Sequence, residues 1–134
     1  MPDRLTPTLA HSQLDRYGWL DAAMDKAIYS LCLHIPDDAQ AAWDREFDVS
    51  KRDFIDQLNA AKRLLYVGAS QDAYARIMDH CNGQVRQTAI MRVCPPVEVH
   101  GIWPAEGDLS AAETNLAIAL AGENTLTWSD GVLR

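Results

Sequence analysis

One short stretch of the chain places two side chains suited to phosphate chemistry on the same side of a predicted helix. Arg76 and His80 are four residues apart there, so both project from one helix face. An arginine guanidinium is a rigid fork of hydrogen-bond donors that matches the oxygens of a phosphate. A histidine can orient a water molecule or protonate a leaving oxygen near neutral pH. A pair of this kind is suited to chemistry at a phosphate group.

The segment before this helix is a short apolar strand that ends in Tyr-Val-Gly at residues 66–68. It resembles the core of the GIY-YIG nuclease family, in which an aromatic strand ends in Tyr-Ile-Gly or Tyr-Val-Gly and the next helix presents an arginine to a scissile phosphate. The first motif of the family has its counterpart in Ala-Ile-Tyr at residues 27–29, where alanine replaces the usual glycine. The resemblance covers about residues 26–125. It implies an α+β fold with a small mixed or antiparallel sheet flanked by helices.

The resemblance also implies a divalent-metal-dependent endonuclease that hydrolyses the phosphodiester bonds of DNA. Family members carry a metal-binding glutamate on a later helix and an asparagine near the end of the core, and Glu113 and Asn124 resemble that pattern. The implied catalytic residues are Tyr29, Tyr66, Arg76, His80 and Glu113, and the implied nucleic-acid-binding residues are Gly68, Ser70, Arg76 and Asn124.

The chemistry explains why these residue types would be needed together. Hydrolysis of a phosphodiester accumulates negative charge on its oxygens, which a divalent cation and the Arg76 guanidinium would offset. Glu113 would hold Mg²⁺ or Mn²⁺, because one carboxylate with several waters suits a cation that keeps its hydration shell. Tyr29 or Tyr66 would accept the proton of the attacking water if the metal and Arg76 lowered its phenol pKa from about 10. Gly68 would let the backbone approach the phosphate closely.

The interval between the two tyrosine motifs is long. It holds 36 residues between Tyr29 and Tyr66, whereas the family typically has a short hairpin there. The predicted domain therefore covers residues 26–134 with an insertion at about 36–63, after an N-terminal arm and a short helix within residues 1–25. Haloarchaeal members with a long insertion are similar, and nine arginines against three lysines in an acidic chain suggest adaptation to high salt.

Each candidate residue also has a purely structural interpretation. The two tyrosines could fill a core, as strand aromatics commonly do. Arg76 could be a solvated residue paired with Asp72 or Asp79. Glu113 could be the glutamate of a capping box that Ser110 opens. The order and spacing of the whole set favour the catalytic interpretation.

Hydrophobic spacing and turn signals predict the elements that must position these residues. Residues 1–11 are predicted as a loose arm, and 97–103 as an edge strand. The predicted strands are 27–33, 64–67, 89–94, 97–103 and 125–128. The predicted helices cover residues 12–24, 72–81 and 110–121, the last of which begins with Ser110. Two further helices are predicted, one from 37–38 through 43 and one after Ser50.

Composition limits the class of protein. A chain of 134 residues with 48% hydrophobic and 23% charged residues predicts one globular domain. No apolar run approaches the ~20 residues of a membrane span, and the first residues lack a signal pattern. Three cysteines without a close pair predict free thiols and a cytoplasmic location. They are Cys32, Cys81 and Cys94.

The net charge of −7 is the main argument against a nucleic-acid enzyme, because affinity for DNA comes largely from Lys and Arg. In high salt, recognition would depend on short-range contacts. One alternative is a catalytically inactive GIY-YIG-like module that binds nucleic acid or protein, and another is an unrelated α+β protein. The expected partner of the enzyme is DNA, with no membrane, and double-strand cleavage would need a homodimer or two encounters.

Overall fold

The computed structural model of the chain describes residues 3–46, 52–83 and 90–134. The described part contains seven helices and five strands. In chain order they are α1 (Pro7–Arg16), α2 (Leu20–Ala23), β1 (Ala27–Leu33), α3 (Ala39–Glu46), α4 (Arg52–Ala60), β2 (Arg63–Ser70), α5 (Ala73–Cys81), α6 (Ile90–Val93), β3 (Pro96–Pro104), α7 (Leu109–Leu120), β4 (Thr125–Ser129) and β5 (Val132–Leu133).

The five strands form one mixed sheet in the order β3-β1-β2-β4-β5. β1 is antiparallel to both of its neighbours, β2 and β3. β4 runs parallel to β2 and is joined to β5 by a hairpin. The α+β class with a small mixed sheet flanked by helices is therefore confirmed. β1 and β2 pair along their whole length despite the long excursion between them, and β3 is the edge strand that the alternating pattern predicts.

Helices cover both faces of the sheet. The larger core lies on the face that carries Tyr29 and Leu31, and α3 and α4 contribute Trp43 and Leu58 to it. The smaller core lies on the opposite face, where α7 packs Ala117 and its neighbours against Ile28 and Val67. The two faces alternate along each strand because successive side chains point to opposite sides. The residues between β1 and β2 are thus part of the main core, as far as they are described.

The N-terminal segment differs from the prediction. α1 begins at Pro7, because the Thr6 hydroxyl accepts a hydrogen bond from the Leu9 N–H (3.2 Å) and proline is favoured in the first turn. Gly18, with φ of +72°, separates α1 from α2, so the predicted helix over 12–24 is two helices. Leu5 is fully buried, and its N–H donates to the Pro96 carbonyl (2.8 Å). The predicted loose arm is therefore wrong for the part from Leu5 onward.

The strand predicted over residues 89–94 is wrong for the part that the structure describes, which begins at Ile90. Ile90–Val93 form a helical turn instead of a strand, and the Cys94 N–H donates to the Ile90 carbonyl (2.8 Å). A short buried apolar run has the same hydrophobic pattern in a strand and in a helix. Ser50, after which a helix is predicted to begin, and residue 89 of the predicted strand lie outside the described residues.

The hairpin between β4 and β5 was not predicted. Its two-residue loop is Asp130-Gly131, with φ of +50° and +77°, between the paired residues Ser129 and Val132. Loops of this length favour Asp-Gly because both positions need positive φ.

None of the described helices has the length and apolar character that a membrane crossing demands.

Candidate active site

A pocket of about 220 Å³ lies beside β2, at the point where β4 turns away from it. β4 pairs with β2 only as far as Trp128 opposite Tyr66, whereas β2 continues to Ser70. The unpaired end of β2 therefore leaves a notch in the sheet, open to side chains from both faces. The lining residues are Tyr29, Tyr66, Ala69, Arg76, Glu113, Trp128, Asp130 and Gly131.

Four of the five predicted catalytic side chains line this one pocket. Tyr29 and Tyr66 come from neighbouring strands, Arg76 comes from α5 on the main-core face, and Glu113 comes from α7 on the other face. The notch explains how residues from opposite faces meet. The fifth, His80, lies behind the tyrosines and does not line the pocket.

Gly68 has a different role from the predicted one. It lies directly opposite Tyr29 in the sheet, and a Cβ atom on Gly68 would be 2.5 Å from both Cζ and Oη of the Tyr29 ring. An aromatic ring that covers a cross-strand glycine is a known way to fill the space of the missing side chain. Gly68 therefore makes room for the tyrosine, and the ring occupies the space that the prediction reserved for a phosphate.

We expect Gly68→Ala to lower the free energy of unfolding by about 1–3 kcal/mol, since the ring must shift. Gly122→Ala is the matched control, because nothing lies within 4 Å of a Cβ at that position. It should change stability by less than about 0.5 kcal/mol. Urea unfolding of both variants measures the difference. Equal costs at the two positions would exclude the proposed contact with Tyr29.

His80 is buried, with 1% of its surface exposed, and its Nε2 atom is 2.6 Å from the Tyr29 hydroxyl oxygen. Its ring also packs edge-on against Tyr66, with centroids 5.0 Å apart. Burial, assisted by the charge of Arg76, lowers the pKa of His80 to about 4. At neutral pH the imidazole is therefore uncharged. The geometry assigns His80 to the positioning of Tyr29, and it does not place the ring where it could protonate a leaving oxygen directly.

The same shift predicts an acid-dependent loss of stability. The pKa of His80 is about 6.5 in the unfolded chain and about 4 in the folded protein, so the unfolded state binds the proton first as the pH falls. The contribution of neutral His80 to the free energy of unfolding is complete above about pH 6.5. As the pH falls toward 4, this contribution is lost, by up to roughly 3 kcal/mol.

Urea unfolding across this pH range should show a smaller loss for His80→Gln than for the wild type. His11→Gln, which removes an exposed histidine, should keep the wild-type slope. A wild-type slope in His80→Gln would mean that other groups cause the acid sensitivity.

Burial also has the largest effect on the pKa values of the two phenol groups, those of Tyr29 and Tyr66. It raises the pKa of Tyr29 well above its usual value, and burial and the charge of Glu113 raise the pKa of Tyr66 to about 12. The positive charge of Arg76 lowers both values, but by less. Without a bound cation, Arg76 therefore does not bring either phenol pKa below 10, and the combined effect of a metal ion and Arg76 stays a prediction. Both tyrosines are neutral hydrogen-bonding groups at neutral pH.

Arg76 is half-buried at the pocket wall. Its structural alternative, an ion pair with Asp72 or Asp79, is not found among the described residues. Asp72 instead caps α5, where its carboxylate accepts the Ala75 N–H at 3.1 Å. The guanidinium therefore faces the pocket without a carboxylate partner in the described part of the chain. Such a group is available to an anion.

Glu113 is not part of a capping box. The cap of α7 is Asp108, whose carboxylate accepts the N–H groups of Ser110 (2.9 Å) and Ala111 (3.3 Å). Glu113 lies further along the helix and lines the pocket. Burial raises the pKa of its carboxyl group, and the charge of Asp130 raises it further, while neighbouring polar groups partly oppose this.

Two predicted nucleic-acid-binding residues lie elsewhere. The Ser70 hydroxyl is engaged with the backbone of Asp72, at 3.1 Å from both its nitrogen and its oxygen, and shapes the turn into α5. Asn124 is exposed before β4, where its carbonyl accepts the N–H groups of Lys62 (3.0 Å) and Arg63 (3.1 Å). Asn124 is four residues from Trp128, or about 13 Å along a strand. Neither residue lines the pocket.

Asp130 lines the pocket but was not among the sequence candidates. The Asp-Gly pair near the C-terminal end of the chain is the signal that could have located it, because such a pair typically forms a two-residue hairpin. Sequence spacing alone could not show that the hairpin closes beside Glu113.

The oxygen ligands of the pocket fit a hydrated divalent cation. Among the described residues, no three His, Cys, Asp or Glu side chains come together as a metal-holding group. Mg²⁺ nevertheless needs only one or two protein carboxylates, since it keeps several waters. Glu113 and Asp130 supply that number, so the pocket fits Mg²⁺ or Mn²⁺ and does not resemble a closed structural metal site.

The three cysteines form no disulfide. They are distributed over β1, α5 and the turn after α6, away from the pocket lining. No protein-family model, curated protein or solved structure matches the chain.

Proposed function

We propose that the protein is a divalent-metal-dependent endonuclease of the GIY-YIG type that hydrolyses phosphodiester bonds of DNA. The observation that carries this proposal is the convergence of Tyr66, Arg76 and Glu113, from three separate elements, on one pocket. A pocket that combines a cationic fork, a carboxylate and neutral phenols matches the needs of phosphodiester hydrolysis.

Arg76 would bind the scissile phosphate. During hydrolysis an oxygen of water bonds to phosphorus, the bond to the leaving oxygen breaks, and a proton passes from the water to the leaving group. Negative charge accumulates on the phosphate oxygens in this step. A fixed guanidinium in a partly water-excluded pocket offsets that charge more strongly than it would in bulk water.

The phenols would position oxygen atoms. The hydroxyl group of neutral Tyr66 can donate a hydrogen bond to a phosphate oxygen or accept one from the attacking water. Tyr29 is held from two sides, by His80 at 2.6 Å and by the backbone at Gly68. Such support keeps a hydroxyl group in one geometry, which is what a catalytic pocket requires.

Glu113 would hold Mg²⁺ or Mn²⁺ at the other side of the pocket. When bound, the cation would favour formation of the attacking hydroxide and offset charge on the leaving oxygen. Glu113 and Arg76 form no ion pair with each other in the described part of the chain, so neither charge is neutralised by the other.

The experiment that tests this proposal is plasmid nicking. Supercoiled DNA is incubated with the protein in Mg²⁺, in Mn²⁺ and in excess EDTA, and each reaction is also run on a native gel. Formation of open circles with either cation, abolished by EDTA, supports the proposal. Retardation of DNA without cleavage would overturn it in favour of an inactive binding module. If the protein neither cleaves nor retards DNA, both the endonuclease and the binding module are excluded.

A further inference from the structure

The β4–β5 hairpin brings a second carboxylate to the pocket. Asp130 and Gly131 form its two-residue loop, and both line the pocket. The loop is short, and its backbone is fixed by the pairing of Ser129 with Val132. Asp130 is therefore held beside Glu113 by a closed hairpin that needs no further ordering when a ligand arrives.

Two like charges are placed together here. Asp130 and Glu113 both line the pocket of about 220 Å³, and the negative charge of Asp130 acts on the Glu113 carboxyl. The charge of Arg134 acts on Glu113 in the opposite sense, but more weakly. Neither carboxylate has an ion-pair partner in the described part of the chain. A cation between the carboxylates would turn this repulsion into attraction.

An additional polar group lies at the same place. Ser129 is 1% exposed and does not line the pocket. Its hydroxyl group lies beside the Glu113 carboxyl and lowers the pKa of that group. Ser129 thus contacts Glu113 from the buried side, as a group that orients a metal ligand does.

We propose that Asp130 is a second carboxylate ligand, with Glu113, for the hydrated divalent cation of this pocket. The inference rests on the proposed function, because the cation is the one that the endonuclease would use. It adds a ligand on the β4–β5 hairpin to the single glutamate implied by the family resemblance. The site would thus hold Mg²⁺ or Mn²⁺ through two protein carboxylates and several waters.

The competing explanation is that Asp130 serves only the turn. A turn residue at this position needs to tolerate positive φ, which Asn does as well as Asp. Asp130→Asn therefore keeps the hairpin and removes the charge. The test is the binding of Mn²⁺ alone, without DNA. Binding is measured from the decrease in the electron paramagnetic resonance signal of the free ion.

We expect one Mn²⁺ site in the wild type and a loss of affinity of about tenfold or more in Asp130→Asn. Glu113→Gln should show a similar loss. Asp15→Asn is the matched control, because it removes the same charge from an exposed position on α1 and should bind as the wild type does. Thermal unfolding should show that Asp130→Asn remains folded.

Two outcomes would overturn the inference. If Asp130→Asn binds Mn²⁺ as tightly as the wild type while Glu113→Gln does not, Asp130 is a turn residue and the proposed endonuclease is unaffected. If the wild type has no saturable Mn²⁺ site, the inference fails, and the nicking assay decides separately whether the protein cleaves DNA.

Discussion

Replacing Arg76 with alanine is expected to reduce the rate of plasmid nicking by about 10³-fold or more. The expected decrease in rate is this large because the variant loses a fixed cation at a phosphate whose negative charge increases in the transition state. Within the pocket lining, Arg76 is the only Lys or Arg side chain among the described residues. Arg134, whose charge acts on Glu113, does not line the pocket, so no other lining residue supplies a cation in place of Arg76. The measurement is the single-turnover rate of open-circle formation at saturating Mg²⁺.

Two further variants make the Arg76 result specific. Arg76→Lys keeps the charge but loses the planar fork, so it should recover only a small part of the rate. Arg92→Ala is the matched control, since Arg92 is exposed on α6 and pairs with Glu46 at 3.4 Å, away from the pocket. It should nick DNA at the wild-type rate. If Arg76→Ala lost less than about tenfold, the guanidinium would not act on the scissile phosphate.

Glu113→Gln is expected to reduce nicking by about 10²-fold or more, because removal of a metal ligand costs several kcal/mol of transition-state stabilisation. Its stability should change by less than about 0.5 kcal/mol or increase slightly, since burial already disfavours the charged form of Glu113. The measurements are the nicking rate and urea unfolding at neutral pH.

Asp108→Ala is the informative control for Glu113. Asp108 caps α7, so its loss should lower the free energy of unfolding by about 1 kcal/mol and leave nicking unchanged under conditions where the protein stays folded. The two variants thus separate a helix cap from a catalytic carboxylate. The opposite result, with stability lost in Glu113→Gln and activity lost in Asp108→Ala, would return Glu113 to a structural role.

The position of the pocket follows from one irregularity of the sheet. β2 is longer than β4, so the end of β2 lacks a partner on that side. A fully paired sheet would separate Glu113 on one face from Arg76 on the other. The early end of β4 at its hairpin opens the passage between the two faces, and the same hairpin supplies Asp130.

Local patterns in the sequence were enough to identify β1, β2, α5 and α7 to within a few residues. These elements depend on residues that are close together in the chain. Examples are their apolar runs and the two ends of α5, where Asp72 caps the first turn and Asn82-Gly83 ends the helix. The same methods failed at Ile90–Val93, where a short apolar run has no period of its own. They also failed for the start of α1, which lies within the loose arm predicted for residues 1–11.

By itself the sequence determined the class of the fold and the order of most elements, because these depend on residue type and spacing, and its resemblance to the GIY-YIG family implied the set Tyr29, Tyr66, Arg76 and Glu113. Only the tertiary structure decided the rest. It brought Asp130 to Glu113, gave Gly68 its role under a tyrosine ring, and removed His80 from the pocket surface. It also set the pKa values, since the cost of burying a charge depends on what the folded chain packs around it.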